Sequence, residues 1–276
     1  MKSLHPAIKW SGSKRPIAKE IASTFPKKID TYYEPFCGGC SILYYLLNSK
    51  EFDVKNYICS DINNDLISLW KEIKINPKGI IDNYTIMWND LSALDIGARK
   101  KYFYKIRSRF NKNKSPYDFM FIMRTTTNGM PRYNKSGEFN NSFHVTRKGI
   151  QPKTLSKIIN KWSYLLNIND VQFICQDYLG IESNKNDVIY LDPPYAGTKG
   201  MYYGKINYES LWEWIIKQAG FVALSFDGKT TSKEYKNLVP NGIFKNHELI
   251  YSGNSSFRRT IGSSNSEYVY ESLYIK

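Results

Sequence analysis

The sequence predicts an α/β fold: one sheet of short apolar strands, interrupted by a basic, mainly helical insertion. Three observations predict it. Residues 31–61 read as strand, glycine turn, helix, strand and closing acid, the opening of a nucleotide-binding α/β unit. Residues from about 64 to 151 are basic and mostly helical, and they finish in a Gly/Asn-rich stretch. Strand signals then return at VQFIC, DVIYL, FVALSF and EYVYESLYIK, so the insertion interrupts a single sheet.

In chain order, residues 31–36 form a short aromatic strand that runs into Cys37-Gly38-Gly39-Cys40. Gly38 and Gly39 fall between that strand and the helix SILYYLLNS. Glycine there lets backbone amides approach a ligand close to a helix N-terminus. Residues 55–60 form the next strand, and Asp61 closes it 22 residues after Gly39. A carboxylate about 20 residues past a glycine turn commonly binds ribose hydroxyls. The pair alone is weak evidence, and the missing third glycine of GxGxxG argues against a nicotinamide cofactor. Further on, ARKKYFYKIRSRF is helical, and NGMPRYNKSGEFNNSF centres a hairpin on NKSGE. A helix near 152–166 leads back to the sheet. The last strand, EYVYESLYIK, alternates as a half-exposed edge strand would.

The segment DVIYLDPPY carries the chemistry. Val188, Ile189 and Leu191 form an apolar run of the kind found in parallel sheets covered on both faces. Asp192 arrives where the strand must stop, because neither Pro193 nor Pro194 can donate to a ladder. Pro193 also pushes Asp192 towards an extended backbone. With Tyr195 these residues make a stiff shelf at the carboxyl end of a strand, where open α/β sheets bind ligands.

Composition narrows the function. The net charge of +14 divides as +2 over residues 1–70 (9 Lys/Arg, 7 Asp/Glu), +13 over 71–165 (19 and 6) and −1 over 166–276 (11 and 12). A surplus confined to the middle third, with aromatic and turn residues among the charges, is a footprint for nucleic acid. No amphipathic basic helix points to an acidic membrane surface, and no apolar run approaches the roughly 20 residues of a membrane span. The opening MKSLHPAIKW lacks the apolar core of a signal peptide. Cys37, Cys40, Cys59 and Cys175 look reduced, so a cytoplasmic setting is expected. Structural zinc wants four ligands, and Cys37 and Cys40 have no second paired motif; no metal is expected.

Five elements, in order, resemble the Dam-type (D12 class, alpha-group) N6-adenine DNA methyltransferases. They are KWSGSK at residues 9–14, EPFCGG at 34–39, SDIN at 60–63, RTTTNGMPRYNKSGEFN at 124–140 and DPPY at 192–195. The resemblance implies a Rossmann-like S-adenosylmethionine-dependent methyltransferase sheet over residues 1–63 and 152–276. It also implies an inserted, mainly helical target-recognition domain bearing a β-hairpin over 64–151. The implied cofactor is S-adenosyl-L-methionine, and the implied partner is double-stranded DNA in a bacterial or phage-infected cell, with a cognate restriction enzyme as a further candidate. Neither a membrane nor an obligate protein partner is implied.

Site residues follow from the matched positions. Asp192 and the Pro193 carbonyl, with Pro194 and Tyr195, would hold the adenine amino group and its ring. Trp10, Lys14, Phe36, Gly38, Gly39, Asp61, Asp177 and Tyr178 would line the methyl donor. Arg132 resembles the hairpin arginine that reads guanine, Met130 an apolar contact for a thymine methyl, and Lys9 a lysine that reaches an outer base. Arg124 and Asn128 fit phosphate or scaffold roles. Three residues or stretches depart from the family pattern. Cys40 stands where a second loop glycine is usual, EFNNSF replaces EFNVPF, and Thr127 replaces an aromatic intercalator. The hairpin changes fall on the reading surface and leave the target, GATC included, open. The closest rivals are an N4-cytosine methyltransferase, which usually carries Ser at the Asp192 position, and an inactive DNA-binding protein on the same fold. A C5-cytosine enzyme needs a nucleophilic thiol, typically in Pro-Cys, and this chain has no Pro-Cys.

Overall fold

The computed structural model describes residues 6–195, 206–231, 239–254 and 268–276. Its elements run, in chain order, α1 (Ala18–Ser23), β1 (Lys28–Pro35), α2 (Ser41–Asn48), β2 (Asp53–Asp61), α3 (Asn64–Ile75), α4 (Pro77–Ala93), α5 (Ile96–Asn113), α6 (Pro116–Thr125), α7 (Pro152–Ile168), β3 (Gln172–Cys175), β4 (Val188–Leu191), α8 (Tyr208–Lys217), β5 (Phe221–Thr230), β6 (Asn246–Asn254) and β7 (Tyr268–Ile275). The chain divides into two compact units. One comprises Met1–Gly12, Asp61–Cys175 and Thr198–Gly204, the other Ser13–Ser60, Gln176–Gly197 and Lys205–Lys276.

The first unit is helical, and its boundaries follow from local capping. Asn63 accepts from the Leu66 amide to start α3, Asn76 from Gly79 to start α4, and Asp95 from Ala98 to start α5, each satisfying one orphan amide of the first turn. Pro77, Pro116 and Pro152 open α4, α6 and α7 at positions that need no N–H. Fully buried Trp70 of α3 stacks on Phe173 of β3 at 5.4 Å and packs against Trp162 of α7 at 4.8 Å, a geometry that adds to the area these rings bury. A second aromatic core stacks Phe110 of α5 on Phe119 of α6 at 5.2 Å, with Phe139 edge-on to both. Phe139 thereby anchors the segment predicted as a hairpin. That segment is held by single bridges, Thr126 to Phe143 and Tyr133 to Phe139, instead of a continuous ladder.

Among the described residues the second unit carries six strands in the order β2-β1-β4-β5-β7-β6. The first four run parallel, and β7 and β6 are antiparallel. All four residues of β4 are buried, as its unbroken apolar run predicts. Chain order reverses between β1 and β4, and ligands bind at such a switch point, outside the carboxyl ends of the strands. The loop after β1 and Asp192 after β4 both begin there. One sequence expectation needs correction: β7 is an interior strand, paired on both sides, and β6 forms the edge. Alternation in EYVYESLYIK reflects the two differently covered faces of the sheet, and periodicity says nothing about whether a strand has one neighbour or two. Among the described residues no helix is long and apolar enough to cross a membrane, and no group of three or more His, Cys, Asp or Glu could hold a metal ion.

Candidate active site

The loop after β1 is strained where it turns. Phe36 (φ 62°), Gly38 (φ 46°) and Cys40 (φ 52°) all lie in the left-handed region, which costs a residue with a Cβ about 1–2 kcal/mol. The turn is pinned by the Cys37 amide donating to the Ser60 carbonyl (3.0 Å) and the Cys40 amide donating to the Cys37 carbonyl (2.7 Å). Cys40 is the N-cap of α2 but makes no side-chain cap bond. Buried Glu34 supplies one from β1: its Oε2 accepts from the Leu43 amide and the Tyr32 hydroxyl, both at 2.9 Å. Phe36 is half-buried and meets Tyr178 at 5.4 Å between ring centroids; Tyr178 in turn packs edge-on against Trp214 at 5.2 Å. Asp177 is exposed, and its Oδ1 caps the short turn at Tyr178 by accepting from the Leu179 amide at 3.0 Å.

At the end of β4 the Asp192 carboxylate meets buried Lys14. Lys14 Nζ is 2.9 Å from Asp192 Oδ1 and 3.2 Å from Glu271 Oε2. The Tyr195 hydroxyl lies 3.1 Å from each of the same two oxygens, and its ring stacks on Phe226 at 5.5 Å. Burial disfavours the Lys14 charge, but the two carboxylates outweigh it and raise its pKa. Asp192 Oδ2 and the Pro193 carbonyl take no partner among the described residues, whereas the Pro194 carbonyl accepts from Tyr208 at 2.7 Å.

In the first unit the residues of KWSGSK and of the hairpin come together. Lys9 Nζ donates to the Thr126 carbonyl at 2.9 Å, and the Ser11 amide donates to the Gly129 carbonyl at 3.2 Å. A Cβ on Gly129 would lie 2.9 Å from the Lys9 carbonyl oxygen, so this close approach requires glycine. Burial, then Arg147 and Arg124, lower the Lys9 pKa. Arg124 is buried, donates from Nη2 to the carbonyls of Pro6 and Ala7, and has its pKa lowered by burial to about 10. A guanidinium so placed holds the amino-terminal segment in position. Asn128 is exposed in a left-handed turn, and Met130 is half-buried. Arg132 is exposed, and its guanidinium makes no bond with the described residues. Trp10 is half-buried beside Lys9, and Asp61 Oδ1 accepts from the Asn63 amide at 2.9 Å. Trp10, Asp61, Lys9 and the hairpin residues thus belong to the first unit, and Lys14, Phe36, Gly38, Gly39, Asp177, Tyr178 and the Asp192–Tyr195 shelf to the second.

The sequence model of one family, D12 class N6 adenine-specific DNA methyltransferase, matches residues 10–258. The chain belongs to that family. It is an adenine-specific DNA methyltransferase. The methyltransferase is similar to the type II methyltransferase M.MjaIII of Methanocaldococcus jannaschii, at 34% identity over 206 residues covering 69% of this chain and 68% of the relative. It is also similar to the DNA adenine methylases of Escherichia coli K12 (32% identity, 71% and 66% covered) and Haemophilus influenzae (31%, 69% and 64%). The chain therefore spans about two thirds of the length of these relatives. Among solved structures, an rRNA methyltransferase, AviRa of Streptomyces viridochromogenes, aligns over 94% of this chain and 82% of its own with a TM-score of 0.39 and 12% identity.

Two carboxylates of the methyltransferase were not singled out from sequence. Glu34 sits inside EPFCGG, but only the fold shows that it caps α2. Glu271 sits in the middle of the last strand, where a lone acid among alternating apolar residues was the available signal. Burial pushes the Glu34 pKa up to about 8, against the pull of its bonds from Tyr32 and Leu43. A carboxyl held above its unfolded value of 4.5 favours the fold fully at low pH, and that advantage is lost as pH rises to about 8. The melting temperature of Glu34→Gln should therefore fall less between about pH 5 and pH 8 than that of the wild type, by the equivalent of a few kcal/mol. Parallel melting curves for the two proteins would exclude an ionising, buried Glu34.

Proposed function

We propose that this methyltransferase moves a methyl group from S-adenosylmethionine to N6 of an adenine turned out of duplex DNA, with Asp192 and the Pro193 carbonyl holding the amino group. One observation carries the reading. At the switch point of the sheet, two adjacent acceptors, Asp192 Oδ2 and the Pro193 carbonyl, have no partner among the described residues, and an exocyclic amino group has two N–H bonds to give. Its lone pair is delocalised into the ring, so it is a poor nucleophile. Accepting both hydrogens draws the nitrogen towards a tetrahedral shape and aims the lone pair, so that placement and electrostatics do most of the work. Tyr195 and the ring system around it offer a face for the base, which must leave the duplex to be reached.

The donor side fits S-adenosylmethionine. Phe36 and Tyr178 give aromatic surface for an adenine ring, Asp177 an exposed carboxylate for its amino group, and Gly38, in the left-handed region, turns the backbone with Gly39 just before the start of α2. Asp61, at the end of β2, suits ribose hydroxyls, and the family resemblance makes Trp10 and Lys14 further donor-binding candidates. When bound, the donor supplies a methyl group made electrophilic by its sulfonium. On the DNA side, Arg132, whose guanidinium makes no bond with the described residues, is the guanine reader, Met130 and Lys9 are further candidates for base contacts, Asn128 is available to phosphate, and Arg124 is scaffold.

Incubation with labelled S-adenosylmethionine and unmethylated genomic DNA, followed by nucleoside analysis and mapping, tests the reading. N6-methyladenine at a shared sequence supports it and shows whether that sequence is GATC. N4-methylcytosine would overturn the base assignment. Absence of modification despite salt-sensitive DNA binding would leave an inactive reader.

A further inference from the structure

Glu271 reaches the catalytic shelf from a strand that contributes no residue to the family-like motifs. Its position is set by the pairing of β7 with β5. Glu271 stands opposite Asp227, and the register slips at the next residue, Gly228. A Cβ on Gly228 would lie 2.3 Å from the Tyr270 carbonyl oxygen, so only glycine allows β5 and β7 to close at that bulge. The closure delivers the Glu271 carboxylate to the two groups that also hold Asp192, the Lys14 ammonium and the Tyr195 hydroxyl.

We propose that Glu271 is a positioning residue for methyl transfer, dividing Lys14 and Tyr195 between two carboxylates so that Asp192 stays a strong, correctly turned acceptor for the base. The inference rests on Asp192 being the amino-group acceptor. Among the described residues both shared donors engage Asp192 through Oδ1, which leaves Oδ2 to the substrate. If Glu271 were neutral, more of the buried ammonium's charge would compensate Asp192. An acceptor so compensated attracts an amino hydrogen less.

The groups facing Glu271 are consistent with its ionisation governing the rate. Burial raises its pKa, Lys14 and the bond from Tyr195 pull it down, and Asp192 pushes it up. Among the described residues Tyr190 of β4 and Asp227 of β5 are further titratable neighbours, while β6 places apolar Ile250 opposite. As pH falls through the raised Glu271 pKa, the shared arrangement is lost and transfer slows.

The test is single-turnover methylation of a short duplex containing the mapped site, with labelled S-adenosylmethionine, between about pH 5 and pH 9. Glu271→Gln should slow transfer about tenfold or more, change KM for DNA and donor less than about twofold, and lose the acid limb of the wild-type profile. A rate within about twofold of wild type with the acid limb intact, or an effect on KM alone, would overturn the inference. Glu271→Asp keeps the charge but withdraws it by one methylene, so it should be slowed yet retain the acid limb. It replaces the glutamine variant should that one fail to fold, and a wild-type rate in it overturns the inference equally. Asp192→Ala in the same assay separates the two levels. Activity there sinks the reading of Asp192, whereas a dead Asp192→Ala beside a wild-type-like Glu271→Gln sinks only the role of Glu271.

Discussion

Replacing Asp192 by alanine should reduce methyl transfer by at least about a hundredfold, the scale on which removal of one preorganised polar group acts, while DNA affinity stays near the wild-type value. On the proposed reading the loss falls on the chemical step, because Asp192 would hold the amino group at the switch point of the sheet, while the basic middle third would carry the phosphate contacts. The variant should also fold. Removing one member of a buried pair is destabilising when it strands a charge, but Lys14 keeps Glu271 at 3.2 Å as its counter-ion. Labelled methyl transfer measured beside DNA anisotropy checks both halves. A near-wild-type rate would mean that another group accepts the amino hydrogens.

Arg132→Ala should weaken discrimination at a single base pair by ~1–3 kcal/mol and leave the other positions of the target unchanged. The main chain at Arg132 is fixed independently of its side chain. Its amide donates to the Met130 carbonyl and its carbonyl accepts from the Asn140 amide, each at 2.9 Å. The turn beyond is closed by Asn134, whose Oδ1 accepts from the amides of Ser136 and Glu138, and Phe139 anchors it in the aromatic core. An alanine therefore deletes the guanidinium without moving the hairpin. Comparing kcat/KM on the mapped site with singly substituted duplexes gives the result. A uniform fall across all sequences, with a salt slope reduced by about one, would instead make Arg132 a phosphate contact.

Much of the site was legible in the sequence because its parts are short and local. A glycine turn between strand and helix, an acid at a strand end and a carboxylate followed by two prolines each declare a backbone geometry within a few residues. Cys40 shows the limit of that legibility. Its place in the motif marked it as a substitute for glycine, and the left-handed φ of 52° gives the reason glycine suits the position. Nothing in its neighbours told that Glu34, six residues earlier, would take over the capping of α2. The hairpin was legible as a turn at NKSGE, but its single bridges and its anchor on Phe110 and Phe119 were not, because those rings lie on helices that precede it.

What the sequence determined by itself is the chemistry on offer: an α/β sheet, a basic insertion, and the motifs of an adenine-specific DNA methyltransferase. What only the tertiary structure decided is which side chains share a charge. Glu271 lies 79 residues beyond Asp192 on an interior strand whose alternation resembles that of an edge, and Lys14 lies 178 residues before it. Their meeting depends on the order β1-β4-β5-β7 and on one bulge at Gly228. Local propensity and periodicity act over a few residues, whereas ion pairing in a buried site depends on distances that only the packed chain sets.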